Sequence, residues 1–147
     1  MSTDSEITHQ EYQALAEFRY QLRRFLRFSE QAAREVGLEP QQHQLLLTIK
    51  GLPADRTASV GELAERLQIQ HHSTVELINR MVERGLLERN RDEHDQRRVL
   101  VSMTDYGDEV LRKLSLLHRM ELRATGPALV KALYELTNGQ EESTTKE

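Results

Sequence analysis

Cysteine and tryptophan are both absent from this 147-residue chain, and aromatic residues make up only 5% of it. Without cysteine there is no disulfide framework, no thiolate metal site and no thiol for an oxidant to switch. There is no glycine-rich phosphate loop and no nucleophile elbow. Ser, His and Asp gather only among arginines, with no sign of a cleft, which sets enzymes aside. No apolar run approaches the ~20 residues of a membrane helix, so no span is expected. The start, MSTDSEITHQ, lacks the basic region and apolar core of a secretory signal. These absences point to a cytoplasmic protein of one compact domain, with or without helical extensions used for assembly.

What is present is unevenly charged. The net charge is −4, yet residues 56–104 carry 8 basic and 8 acidic side chains while the segments on either side are negative. Every cation in that middle segment is an arginine, the side chain suited to bidentate and groove contacts. Net charge governs non-specific attraction, so an acidic total weakens a nucleic-acid reading without removing a local arginine cluster.

Leu15, Phe18, Leu22, Phe25, Ser29, Ala32 and Val36 recur at alternating intervals of three and four. That predicts a helix from Thr8 to Glu35 with one near-heptad seam, stopped by Gly37. A helix this long exceeds what a small core needs, so its seam is expected to meet a partner helix. Arg19, Arg23, Arg24 and Arg27 line its other faces, where local pairs to Glu17 and Glu30 are expected. Pro40 opens a second helix that Gly51 and Pro53 stop. Ser59-Val60-Gly61-Glu62 is a capping-box pattern that starts a short helix, GELAERL. After Gln68-Ile69-Gln70 comes a longer helix, HHSTVELINRMVER, closed by Gly85. Val75, Ile78, Met81 and Val82 are assigned to its inner face, and His72, Ser73, Glu76, Asn79, Arg80 and Glu83 to its outer face. A short helix, a tight turn and a polar-faced helix make a helix-turn-helix outline.

LLERNR, a polar turn DEHDQ and the alternating run RRVLVSM then read as a two-stranded hairpin. Thr104 caps a further helix, which Gly126-Pro127 is expected to break before a last short helix, ALVKALYEL. The expected fold is mostly α with a small β-hairpin: a winged helix-turn-helix with helical arms at both ends. The boundaries are a first dimerisation helix over 1–38, the winged domain over 39–104, C-terminal dimerisation helices over 105–137 and a disordered tail over 138–147.

The residues that carry this outline resemble the MarR (multiple antibiotic resistance regulator) family of bacterial transcription factors. The resemblance runs over GELAERL, the turn and MVERGLLER. It is most specific at Asp95-Gln96-Arg97-Arg98-Val99-Leu100-Val101-Ser102-Met103-Thr104, which follows the family's D-x-R-x-x-x-V-x-L-T wing pattern with Met103 in place of Leu. It implies a homodimeric regulator of double-stranded DNA, a repressor that a small aromatic or anionic effector releases from a pseudo-palindromic operator. Asp95 and Arg97 would serve the wing, Arg being shaped for a narrow minor groove, with Arg98 beside them. Gln70, His71, His72, Ser73, Glu76 and Arg80 would face base edges or phosphates from the recognition helix. Ser59 and the helix start behind it would hold a phosphate. For an effector, Arg19, Arg23 or His43 would meet the charge, with Phe18, Phe25 and Leu47 against the ring.

No cofactor is expected. His71 and His72 are adjacent, cannot share a helix face and are poor as a metal pair. His43 and His118, with Glu39 or Glu121, are the candidates for a zinc-responsive variant of the same fold, although no local H-x₃-H spacing supports them. The remaining alternative is a helical protein-interaction module that does not bind DNA. The two classes differ in salt response, because arginine–phosphate contacts weaken steeply with salt and apolar helix faces do not.

Overall fold

The computed structural model describes residues 5–138. Seven elements follow in order: α1 His9–Glu35, α2 Pro40–Lys50, α3 Val60–Leu67, α4 His71–Glu83, β1 Leu87–Arg91, β2 Val99–Met103 and α5 Asp105–Asn138. Local chemistry sets most of their ends. The Thr8 hydroxyl accepts from the Glu11 N–H at 3.2 Å, while Glu11 Oε2 accepts from the Thr8 N–H at 2.7 Å, a reciprocal cap. Gly37, at φ 80°, closes α1 in the left-handed conformation that glycine adopts without a steric cost. Pro40 is the first residue of α2, where its missing N–H is no loss. Ser59 caps α3 by accepting from the Glu62 N–H at 3.3 Å. Only half of the expected box forms, because the Glu62 carboxylate turns to Arg66 at 3.0 Å and lies 3.9 Å from Arg56.

The chain divides into two compact units, one spanning Glu30–Leu116 and the other formed by residues up to Ser29 with those from Leu117 onward. Among the described residues, every buried apolar side chain except Ala14 and Ala132 belongs to Glu30–Leu116. There α2, α3 and α4 pack around Leu45, Leu46, Leu63 and Met81, all fully buried. Each such side chain contributes about 1.5–3 kcal/mol relative to exposure. β1 and β2 form the antiparallel hairpin in the register Leu87↔Met103, Arg89↔Val101 and Arg91↔Val99. A bridge between Ser59 and Leu100 and a 2.9 Å bond from the Val101 N–H to the Ala58 carbonyl fasten β2 to the entry of α3. Thr104 ties the hairpin exit to the α4–β1 turn, its hydroxyl donating to the Gly85 carbonyl at 2.6 Å and accepting from the Gly107 N–H at 3.1 Å.

The other unit has little core of its own. Ala14, Ser29 and Ala132 are buried, whereas Tyr12, Leu26, Met120, Val130, Leu133 and Tyr134 are exposed. His118 lies in this unit, its Nε2 2.7 Å from the Ser29 hydroxyl and its ring in T-shaped contact with Phe25 and Phe28.

Four expectations change. Gly126-Pro127 does not break the C-terminal segment: α5 is one helix of 34 residues with Pro127 inside it. Proline removes a single N–H from the ladder, and in a long helix the flanking bonds carry the chain past it. On α4, Val75 faces outward at 37% exposure, and Thr74 and Leu77 take the inner face beside Ile78 and Met81. Thr74 can be buried because its hydroxyl donates to the Gln70 carbonyl at 2.9 Å, which leaves no polar atom unsatisfied. Among the described residues the ion pairs are Lys50–Asp108, Arg56–Glu62, Arg66–Glu62 and Lys113–Glu109, so the α1 arginines do not pair with Glu17 or Glu30. Arg24 lies instead over the Tyr20 ring. Finally, Asn138 belongs to α5, and the remainder of the expected tail, 139–147, lies outside the described residues. Among those residues no helix is long and apolar enough to cross a membrane.

Candidate nucleic-acid interface

The turn between α3 and α4 is built on Gln68, the one non-glycine residue at positive φ (55°) among the described residues. Its side chain stabilises this left-handed position by donating to the Glu65 carbonyl at 2.7 Å, a local bond that offsets part of the steric cost. The turn points α4 away from α3 with Gln70 as its N-cap. Gln70 makes no side-chain cap bond, so no side chain caps the first N–H groups of α4. A helix start in this condition suits an anion. His71, His72, Glu76 and Arg80 are exposed on the outer face, with Ser73 and Asn79 half-buried beside them. His71, His72, Val75 and Glu76 line a shallow depression on it. The apolar Val75 is exposed here rather than buried. At this position it offers an apolar contact of the kind that meets a thymine methyl.

The hairpin tip is more ordered than its composition suggests. The Asp92 carboxylate accepts from the His94 N–H at 2.9 Å, and the Asp95 carboxylate accepts from the Arg97 N–H at 3.1 Å. The Arg98 N–H donates to the Asp95 carbonyl at 2.9 Å, and the Arg91 guanidinium donates to the Gln96 carbonyl at 3.1 Å. Asp95 therefore braces the turn through the Arg97 backbone. Both arginine side chains, Arg97 and Arg98, are exposed, and among the described residues neither forms an ion pair. No exposed ion pair between the Asp95 and Arg97 side chains forms here. Two acids of the tip hold backbone N–H groups and the cations face solvent.

The other sequence candidates fall as follows. Ser59 is 8% exposed with its hydroxyl engaged in the α3 cap. Arg19 and Arg23 are exposed on α1, with Phe18 and Phe25 half-buried. His43, only 2% exposed, and the exposed Leu47 lie on α2 in the other unit. His43 and His118 belong to different units, and no group of three His, Asp or Glu side chains among the described residues could hold a metal ion. The zinc-responsive variant therefore has no donor set to support it. Contacts such as Arg89 to Asn79 and Arg84 to Gln42 have no signal in the sequence. Each joins residues whose spacing carries no helical or strand periodicity.

A helix-turn-helix followed by a β-hairpin that leans on it is a winged helix-turn-helix, here set between long helices. Residues 36–98 match the sequence model of the MarR family. No curated protein matches the chain in sequence. Among solved structures it is similar to AbsC, a MarR family transcriptional regulator from Streptomyces coelicolor, at 20% identity with a TM-score of 0.72 over 97% of this chain and 99% of that one. It is also similar to Staphylococcus aureus MepR in a complex with DNA, at 18% identity with a TM-score of 0.63 over 95% of each chain. Wild-type MarR from E. coli is a further likeness, at 19% identity with a TM-score of 0.57 over 87% of each.

Proposed function

We propose that the protein is a dimeric, sequence-specific DNA-binding transcriptional regulator that acts in the cytoplasm as a repressor. The observation that carries this reading is the pairing, within one unit, of an exposed polar face on α4 with a braced hairpin whose arginines have no carboxylate partners. The existence of a MepR–DNA complex with the same fold supports it. In this reading α4 enters a major groove, where Gln70, His71, His72, Ser73, Glu76 and Arg80 meet base edges and phosphates. Arg97 and Arg98 enter the neighbouring minor groove, whose negative potential favours a planar cation. The exposed apolar side chains of the first half of α1 and the second half of α5 pair with those of a second copy. Two recognition helices would then reach successive major grooves about 34–36 Å apart on a pseudo-palindromic site.

The repressor is released by a small aromatic or anionic effector that favours the DNA-incompetent arrangement of the dimer, shifting the equilibrium by its difference in affinity. Arg19 and Arg23 next to Phe18 and Phe25 on α1 are its candidate contacts. Calorimetric titration of such compounds tests this part by itself: no heat of binding to a DNA-competent protein removes it.

Fluorescence anisotropy on DNA from immediately upstream of the protein's own gene, at low and moderate salt, tests the central claim. Binding is expected to be tight and steeply salt-dependent. Arg97→Ala is expected to weaken it and to lower the slope of log K against log salt by about 0.9, the value for one neutralised phosphate. A folded dimer that binds neither this DNA nor any duplex selected from a random pool would return the protein-interaction reading.

A further inference from the structure

The hairpin projects from its root. Leu87 is the one buried residue of β1, and from Glu88 to Arg91 the strand is exposed. On β2 only Val101, opposite Arg89, is buried. Beyond that point the hairpin has backbone pairing and its own tip bonds, but no core beneath it. Arg89 shares a face with Leu87, whose partner is Met103, and that face is turned toward α4. The Arg89 guanidinium donates to the Asn79 side-chain oxygen on the outer face of α4. Among the described residues this is the one side-chain hydrogen bond between the hairpin and the recognition helix.

We infer that Arg89 and Asn79 form a clamp that fixes the angle between hairpin and recognition helix, with Arg89 acting as a positioning residue and not as a phosphate contact. The inference rests on the DNA-binding reading and gives it a specificity determinant. A protein that reads a major and a minor groove together gains selectivity only if the two probes keep a fixed separation. A hairpin free to swing could still settle against phosphates on any sequence, so losing the clamp would erode preference for one sequence more than affinity for DNA in general. Asn79 suits the role because its amide oxygen accepts from a guanidinium without adding negative charge beside DNA.

The test uses the full chain, with Arg89→Ala, Asn79→Ala and the double variant. Each is titrated at several salt concentrations against a duplex selected from random DNA and against a scrambled duplex. Amide hydrogen exchange of the hairpin is measured on the free protein. Each single substitution should lower the preference for the selected duplex by roughly tenfold, the scale of a hydrogen bond to a charged group. The double variant should lose no more than either single, because both remove the same contact. The salt slope should stay at the native value. Hairpin amides in the free protein should exchange faster in both single variants, and Asn79→Asp, which keeps the accepting oxygen, should restore their protection.

A slope lowered by about 0.9 in Arg89→Ala alone would make Arg89 a phosphate contact and overturn the clamp. Additive losses in the double variant would do the same, since the two side chains would then be acting separately. If the native protein prefers no duplex, the DNA reading fails, and exchange on the free protein still decides: faster hairpin exchange upholds the tie, unchanged exchange sinks it.

Discussion

Gly107→Ala places two known effects in opposition at one position. Gly107 sits in the first turn of α5, where alanine is preferred by about 1 kcal/mol on helix propensity alone. A methyl group there would fall inside contact distance of the Leu86 carbonyl oxygen and 3.2 Å from its carbon. That carbonyl has nowhere to go. Leu86 is 1% exposed, its oxygen accepts from the Thr104 N–H at 3.2 Å, and its own N–H donates to the Met81 carbonyl at 3.0 Å. Relief requires moving the start of α5 or the Gly85 turn, and forced overpacking costs about 1–3 kcal/mol. Loss of the Thr104 bond would add about 1 kcal/mol. Subtracting the propensity gain leaves a destabilisation of roughly 1–3 kcal/mol, a fall in Tm on the order of 3–10 °C for a chain of this length. Thermal unfolding followed by circular dichroism, at one fixed protein concentration because the Tm of any self-associating chain depends on it, gives the answer. An unchanged or higher Tm would mean that propensity dominates and that the close approach of α5 to the turn is not a constraint.

Pro127→Ala restores an N–H to the middle of α5 at an exposed position and should raise Tm, since proline is about 3 kcal/mol worse than alanine in a helix interior; a lower Tm would show that the helix depends on the ring. Ser59→Ala removes the α3 cap and should cost about 1 kcal/mol in a urea titration, with no loss if the bridge to Leu100 alone holds that entry. Val130→Glu combined with Leu133→Glu should convert the proposed dimer to monomer in sedimentation, while an unchanged sedimentation coefficient would move the interface elsewhere.

The parts of the fold written in neighbouring residues were legible beforehand. Pro40 at a helix start, glycines 37 and 85 at helix ends, the Ser59 cap and the alternation of Val99, Val101 and Met103 each encode a local event, and the structure has each one. On α4 the apolar character of Val75 does not mean burial, whereas Thr74 satisfies its own hydroxyl and goes in. Pro127 reads as a break because its local penalty is large, and the sequence carries no sign of how much flanking helix absorbs it. The candidate site is legible in the sequence only as a set of outward residues on α4 and at the hairpin tip. The clamp and the bond from Arg84 to Gln42 at 3.1 Å are not, since the latter spans 42 positions. Such contacts follow from packing and have no signature in spacing.

The seven residues 92–98 between β1 and β2 exceed the two to five usual for a hairpin connection. A connection of that length left loose would lose conformational entropy on seating against a ligand, at about 1–2 kcal/mol per residue fixed. Here two aspartate side chains and the backbone bonds between Asp92 and Arg98 have already ordered it in the free protein. The thermodynamic cost of shaping the tip is met during folding. The heat-capacity change on complex formation should then track the surface buried between rigid partners, without the added term that marks folding coupled to binding. The abundance of acidic residues in an arginine-bearing tip thus makes sense as internal scaffolding: their carboxylates set the loop's shape in advance and leave its cations ready.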